Sequence, residues 1–115
     1  MFSLGSTQIY QLYMEPCDMR KSFNSLAGLV KNELGREPVN GEVYVFLNRS
    51  NKLMKLLHWE DGGFVLYCKR LEEGTFTRPA KQGPSSAISW AEFVLMVAGI
   101  EVKNYIQKRR YVLKQ

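Results

Sequence analysis

Three runs rich in Val, Leu, Phe, Tyr and Trp fill the middle of the chain: 42–49 (Glu-Val-Tyr-Val-Phe-Leu-Asn-Arg), 52–59 (Lys-Leu-Met-Lys-Leu-Leu-His-Trp) and 64–70 (Phe-Val-Leu-Tyr-Cys-Lys-Arg). Two short polar clusters, Ser50-Asn51 and Glu60-Asp61-Gly62-Gly63, separate them. Apolar runs of strand length divided by such turn clusters predict an antiparallel three-strand meander. Centring the second turn on Asp61-Gly62 places Trp59 opposite Phe64, Leu57 opposite Leu66 and Lys55 opposite Cys68. Centring the first on Ser50-Asn51 places Leu47 opposite Met54 and Val45 opposite Leu56.

Because strand side chains alternate between faces, this register sorts the meander into two surfaces. One carries Val43, Val45, Leu47, Met54, Leu56, Val65 and Tyr67, with His58 and Lys69 at its margins. It is aliphatic and suits a helix. The other carries Tyr44, Phe46, Asn48, Leu53, Lys55, Leu57, Trp59, Phe64, Leu66, Cys68 and Arg70, and its mixture of aromatics and cations suits either a second layer or a partner.

Outside the meander, residues Ser6 to Met14 have strand composition and add an N-terminal strand, which Glu15-Pro16 stops. Asp18 is placed to cap a long helix, with Met19, Phe23, Leu26, Ala27, Val30 and Leu34 as its apolar stripe and Gly35 as a left-handed stop. Met19 and Phe23 are expected in the core. Arg20 and Lys21 lie off that stripe in the first turn, where the helix dipole disfavours cations; they are either solvated charges or a docking point for phosphate or a partner. Pro38 and Asn40-Gly41 mark a loop before the meander, and Ala80 to Ala87 reads as a polar loop with no core-facing pattern. Ser89-Trp90-Ala91-Glu92 is a capping box that opens a short second helix over Trp90 to Ala98, burying Phe93, Val94 and Val97 and ending at Gly99.

The expected fold is therefore α+β. An antiparallel sheet is built on the meander plus the N-terminal strand, one long helix packs on a face, and a short second helix and a basic C-terminal tail follow. Residues 1–100 form a single domain and 101–115 a basic extension, which is a sensible division for 115 residues.

A net charge of +5 is compatible with nucleic acid or another acidic partner, but its distribution has to decide. Arg49, Lys52, Lys55, Lys69 and Arg70 decorate the meander, against Glu60 and Asp61 at its far turn. The extension sets five cations, among them Lys108, Arg109 and Arg110, against one acid and interleaves Tyr105 and Tyr111, the pattern in this chain closest to that of a nucleic-acid binder. It can equally pack Val102, Ile106 and Val112 on the domain.

Catalytic patterns are missing. The single histidine, His58, sits on a strand as a packing residue, no Ser, His and acid set can be completed, and no Gly-rich phosphate loop is present. Cys17 and Cys68 offer neither a disulfide framework nor CxxC spacing for zinc. No apolar run is long enough to span a bilayer. These features point to a cytoplasmic binding protein that is not an enzyme and has no cofactor, metal, membrane or small-molecule substrate.

Several motifs also share an order and spacing. Residues 18–21 (Asp-Met-Arg-Lys) with Phe23 and 26–30 (Leu-Ala-Gly-Leu-Val), then 45–49 (Val-Phe-Leu-Asn-Arg), 55–59 (Lys-Leu-Leu-His-Trp), 61–64 (Asp-Gly-Gly-Phe), 69–72 (Lys-Arg-Leu-Glu) and 74–76 (Gly-Thr-Phe) together resemble the TnpB accessory proteins of the insertion sequence sixty-six family, also called Orf2-like proteins. The resemblance runs from roughly Ile9 to Ile100 and leaves the basic tail outside. Ser22 and Asn24 stand where the family commonly has Gly and Asp, Glu60 is an extra acid in its turn, and Tyr67-Cys68 replaces a more aromatic pair. The resemblance implies a bacterial accessory protein encoded in a mobile element, working beside a separate transposase without catalysis of its own. It carries over no catalytic or ligand residue, but it raises Arg20, Lys21, Asn48, Arg49, Lys55, Trp59, Lys69 and Arg70 as binding residues.

Two functions follow as expectations. In the first, the protein assists transposition by binding DNA: Arg49, Lys52, Lys55, Lys69, Arg70 and the tail cations hold phosphates, and Trp59 or Tyr105 stacks on a base or sugar. In the second, it docks on the transposase through Phe46, Leu57, Trp59 and Phe64 as an apolar hot spot rimmed by cations.

Overall fold

In chain order the elements are β1 (Tyr10–Leu12), α1 (Phe23–Asn32), β2 (Val43–Leu47), β3 (Leu53–Glu60), β4 (Gly63–Arg70), β5 (Ala87–Ile88) and α2 (Trp90–Ala98). The structure, a computed structural model, describes residues 4–80 and 86–99. The basic extension over 101–115, with Lys108, Arg109 and Arg110, lies outside the described residues, as do 81–85 of the expected polar loop.

The meander has the register its turns dictate. Leu47 faces Met54 and Val45 faces Leu56 across β2 and β3. Lys55, Leu57 and Trp59 face Cys68, Leu66 and Phe64 across β3 and β4. Asp61 and Gly62 both hold positive φ, 49° and 81°, which matches a two-residue turn to the strands' right-handed twist.

The five strands are ordered β4-β3-β2-β1-β5, and the sheet is mixed rather than antiparallel. β1 runs parallel to β2, with Tyr10 beside Val43 and Leu12 beside Val45, and β5 closes the other side antiparallel to β1. The reason lies in the connection: the chain between β1 and β2 includes α1, and such a crossover returns it to the sheet in its original direction. The N-terminal strand is three residues long instead of the expected Ser6–Met14, and Ala87, the last residue of the expected loop, opens β5, whose Ile88 is buried.

Both faces are covered. On the aliphatic face, Phe93 and Met96 of α2 join Tyr10, Leu12, Val43, Val45, Leu47, Met54, Leu56, Phe76 and Ile88 in one core cluster. On the other, Leu26 and Val30 of α1 pack with Cys17, Tyr44, Phe46 and Leu57. The long helix thus takes the aromatic face. β2, central between the two layers, is fully buried along its length, which suits its uninterrupted Val-Tyr-Val-Phe-Leu run.

The first helix is shorter than its stripe implies. Asp18 caps a turn instead: its Oδ1 accepts the Arg20 amide at 2.9 Å and its carbonyl accepts the Lys21 amide at 3.1 Å. Lys55 Nζ donates to the Met19 and Lys21 carbonyls, both at 2.6 Å. Those carbonyls are thereby satisfied by a lysine from the sheet, and the chain turns helical only after Ser22, the actual N-cap. Met19 still packs against the second cluster, but Phe23, the first residue of α1, is 42% exposed because only the Leu26–Val30 turn lies over the sheet.

α2 has the predicted bounds and cap. Ser89 Oγ accepts the Glu92 amide at 3.0 Å, Glu92 Oε1 accepts the Ser89 amide at 2.9 Å, and Gly99 ends the helix with φ 76°. Its buried stripe is Phe93 and Met96, with Val97 partly buried. Val94 remains 43% exposed, since one residue beyond Phe93 it is turned about 100° away.

Candidate nucleic-acid interface

The basic residues that the sequence scatters over three segments meet at one end of the sheet. Asn48 builds the turn that presents the first of them. Its Oδ1 accepts the Lys52 and Leu53 amides, both at 3.0 Å, and its carbonyl accepts the Asn51 amide at 3.1 Å, with Asn51 at φ 57°. Arg49 is left exposed at the tip, so Asn48 acts by shaping the turn. Lys52 reaches across to the Gly74 carbonyl at 2.9 Å. The register then brings the end of β4 alongside, with Arg70 beside Leu53, Lys69 beside Met54, and the Leu71 amide bonded to the Lys52 carbonyl at 2.9 Å.

Arg49, Lys52, Lys69 and Arg70 therefore share one exposed end. Arg70 Nε lies 3.2 Å from Glu72, but both side chains are largely solvated and such a pair contributes little. Among the described residues, Arg49, Lys52 and Lys69 form no ion pair with an acid. Glu60 and Asp61 stand at the opposite end of the hairpin, while the exposed Glu72 and Glu73 follow Arg70, so the basic end keeps four cations against two acids.

Other sequence candidates fall elsewhere. Lys55 spends its ammonium on the Met19 and Lys21 carbonyls and fastens α1's approach to the sheet, so it is not available to a phosphate. Arg20 is paired with Asp18 at 2.6 Å, a bond that holds the Asp18 carboxyl well below the usual carboxylate range. Lys21 contributes its carbonyl to Lys55. Trp59 packs edge-on against Phe64, ring centroids 4.9 Å apart, beside the acidic turn. Six residues along β3 separate it from Leu53, or about 20 Å, so it does not join the basic end. Phe46 and Leu57, half of the expected apolar hot spot, are buried beneath α1. No group of three or more His, Cys, Asp or Glu among the described residues could hold a metal, and no helix among them is long and apolar enough to cross a membrane.

Arg78 is the important residue that sequence reasoning missed. Its guanidinium donates to Asn51 Oδ1 at 3.0 Å, the Met14 carbonyl at 2.9 Å and the Leu47 carbonyl at 3.2 Å, with the Asn48 carbonyl at 3.4 Å. It pins the base of the turn that carries Arg49 and Lys52 to the chain after β1. Burial lowers its pKa from the usual arginine value. Only its place between Phe76 and Pro79, just before the polar loop, marked it in the sequence.

A second polar cluster fixes the far side of β1 and β2. Arg36 holds Glu42 through both carboxylate oxygens, at 2.8 and 3.0 Å, and Gln11 donates to the same carboxylate at 3.1 Å. Burial pushes the Glu42 pKa up, but these donors outweigh it and the net shift is downward from 4.5. A depressed folded-state pKa contributes stability that is complete above the unfolded value and lost as pH falls through the folded one. Glu42→Gln should therefore cost about 1.5 kcal/mol at neutral pH, a difference that narrows as pH falls below about 4.5. Urea titrations of the two proteins across that range check it; a gap unchanged by acid would contradict it.

The sequence pattern of the family described as "IS66 Orf2 like protein" matches residues 7–107, reaching past Gly99 into the extension. Two proteins of Sinorhizobium fredii (strain NBRC 101917 / NGR234) are similar. Uncharacterized protein y4hO is 41% identical over 88 residues, covering 76% of this chain and 76% of its own. Uncharacterized protein y4jC is 32% identical over 87 residues, covering 76% of this chain and 74% of its own. No solved structure matches.

Proposed function

Because the chain belongs to the IS66 Orf2-like family, we propose that it serves DNA transposition as a non-catalytic accessory protein and does so by holding the phosphate backbone of duplex DNA at the basic end of its sheet. The observation that carries this reading is the convergence of Arg49 and Lys52 from the β2–β3 turn with Lys69 and Arg70 from the end of β4, with no acid paired to the first three among the described residues. Cations clustered on a rigid frame neutralise phosphates and release counterions, which gives affinity and orientation rather than sequence discrimination. The frame is supplied by the Asn48 turn and by Arg78 beneath it. Lys108, Arg109 and Arg110 add charge that follows α2 in the chain.

Docking on the transposase through an apolar hot spot is less well supported, since burial of Phe46 and Leu57 leaves only the Trp59–Phe64 pair of the original four. Fluorescence anisotropy of a labelled duplex carrying the element's terminal repeats, beside an unrelated duplex, separates the readings. Salt-sensitive binding supports DNA contact, and preference for the terminal duplex would make the protein an end-recognition factor. No binding at low salt would overturn the proposal in favour of docking.

A further inference from the structure

β4 is an edge strand with an unusual profile. Its eight residues pair with β3 without interruption from Gly63–Glu60 to Arg70–Leu53, with no bulge and no proline. The Leu71 amide bonds to the Lys52 carbonyl, and the antiparallel alternation then directs the backbone groups of Val65, Tyr67 and Lys69 toward β3 and those of Phe64, Leu66, Cys68 and Arg70 outward. Among the described residues no strand pairs with that outer side. Edge strands are normally blunted by shortness, proline, bulges or charge. The opposite edge, β5, is two residues long, whereas β4 carries Phe64, Val65, Leu66 and Tyr67 partly exposed and charge only at its last two positions.

We infer that the outer edge of β4 pairs antiparallel with β4 of a second copy of this chain, about a two-fold axis perpendicular to the sheet near Leu66 and Tyr67. Charge selects this partner and direction. One end of the strand bears Lys69 and Arg70, and the other abuts the Glu60-Asp61 turn. The two-fold sets each copy's cations beside its partner's acidic turn; parallel pairing would set cations against cations. The axis keeps like faces together, so two five-stranded sheets become one ten-stranded sheet with both α1 helices on one side. An apolar groove over Met54, Leu56, Tyr67 and Phe93, left open by α2 on the β4 side, lies beside the junction. The inference does not rest on DNA binding.

Sedimentation velocity on the full chain under reducing conditions tests it. The expected mass is twice 13.3 kDa. Cys68→Pro removes one outward amide and no bond to β3, and should give a monomer with an unchanged circular dichroism spectrum. Lys69→Glu leaves the backbone intact and sets acid against acid, so its dimer should be at least about tenfold weaker at low salt and should recover partly as salt screens the repulsion. A monomeric natural chain, a folded Cys68→Pro that still dimerises, or a Lys69→Glu that associates as tightly as the natural chain would each overturn the inference. If Cys68→Pro does not fold, Lys69→Glu decides.

Discussion

Phe46→Ala should lower the unfolding free energy by about 4 kcal/mol, the largest effect expected of any single truncation here. Phe46 is wholly buried between β2 and α1, within 5.8 Å of the Tyr13 ring and in one cluster with Leu26, Val30, Tyr44 and Leu57. Truncation removes most of an aromatic side chain from a site closed on both sides, where a strand and a helix leave little scope for collapse. For a domain of this size, that loss corresponds to a fall in Tm of roughly 20 °C. Phe23→Ala, on the same α1 stripe as Leu26 and Val30 but 42% exposed, should cost less than about 1 kcal/mol. Paired urea denaturation curves check both; equal costs would mean that α1 covers the sheet differently.

Arg78→Ala should cost about 3 kcal/mol through a different mechanism. Here the loss is of charge-assisted hydrogen bonds: the Met14 carbonyl and the amide oxygen of Asn51 lose the guanidinium, and the Leu47 carbonyl keeps only the Cys17 amide. Arg78→Lys should recover only part of this, because an ammonium cannot span acceptors that a planar guanidinium reaches at once. Since these acceptors lie at the base of the Arg49 turn, amide exchange of Asn51 and Leu53 should quicken in both variants. A cost under about 1 kcal/mol for Arg78→Ala would show that water replaces the side chain adequately.

The parts of this fold legible in the sequence are those set locally. Asp61-Gly62 and Ser50-Asn51 fix the register of β2, β3 and β4, and Ser89 with Glu92 fixes the start of α2, because each involves neighbours in the chain. What eluded the sequence depends on distant partners. Lys55 takes carbonyls at Met19 and Lys21, 36 and 34 residues away, and delays α1. β1 turns parallel because of the crossover that follows it, and Ile88 becomes a strand residue only because Tyr10 is there to pair with it. The candidate site divides along the same line. The register alone places Lys69 and Arg70 beside the Arg49 turn, whereas the diversion of Lys55 and the service of Arg78 depend on long-range hydrogen bonds to backbone carbonyls, which leave no pattern in composition or spacing.

The salt dependence of duplex binding, measured for the natural chain and for the double substitution Arg49→Ala with Lys69→Ala, tests the basic end most directly. Four phosphate contacts there give a slope of log affinity against log salt of roughly −3.6, steeper if the extension contributes, and the double substitution should make it shallower by about 1.8. A slope unchanged by the substitution would place the DNA contact elsewhere on the protein, and binding indifferent to salt would contradict phosphate contact altogether.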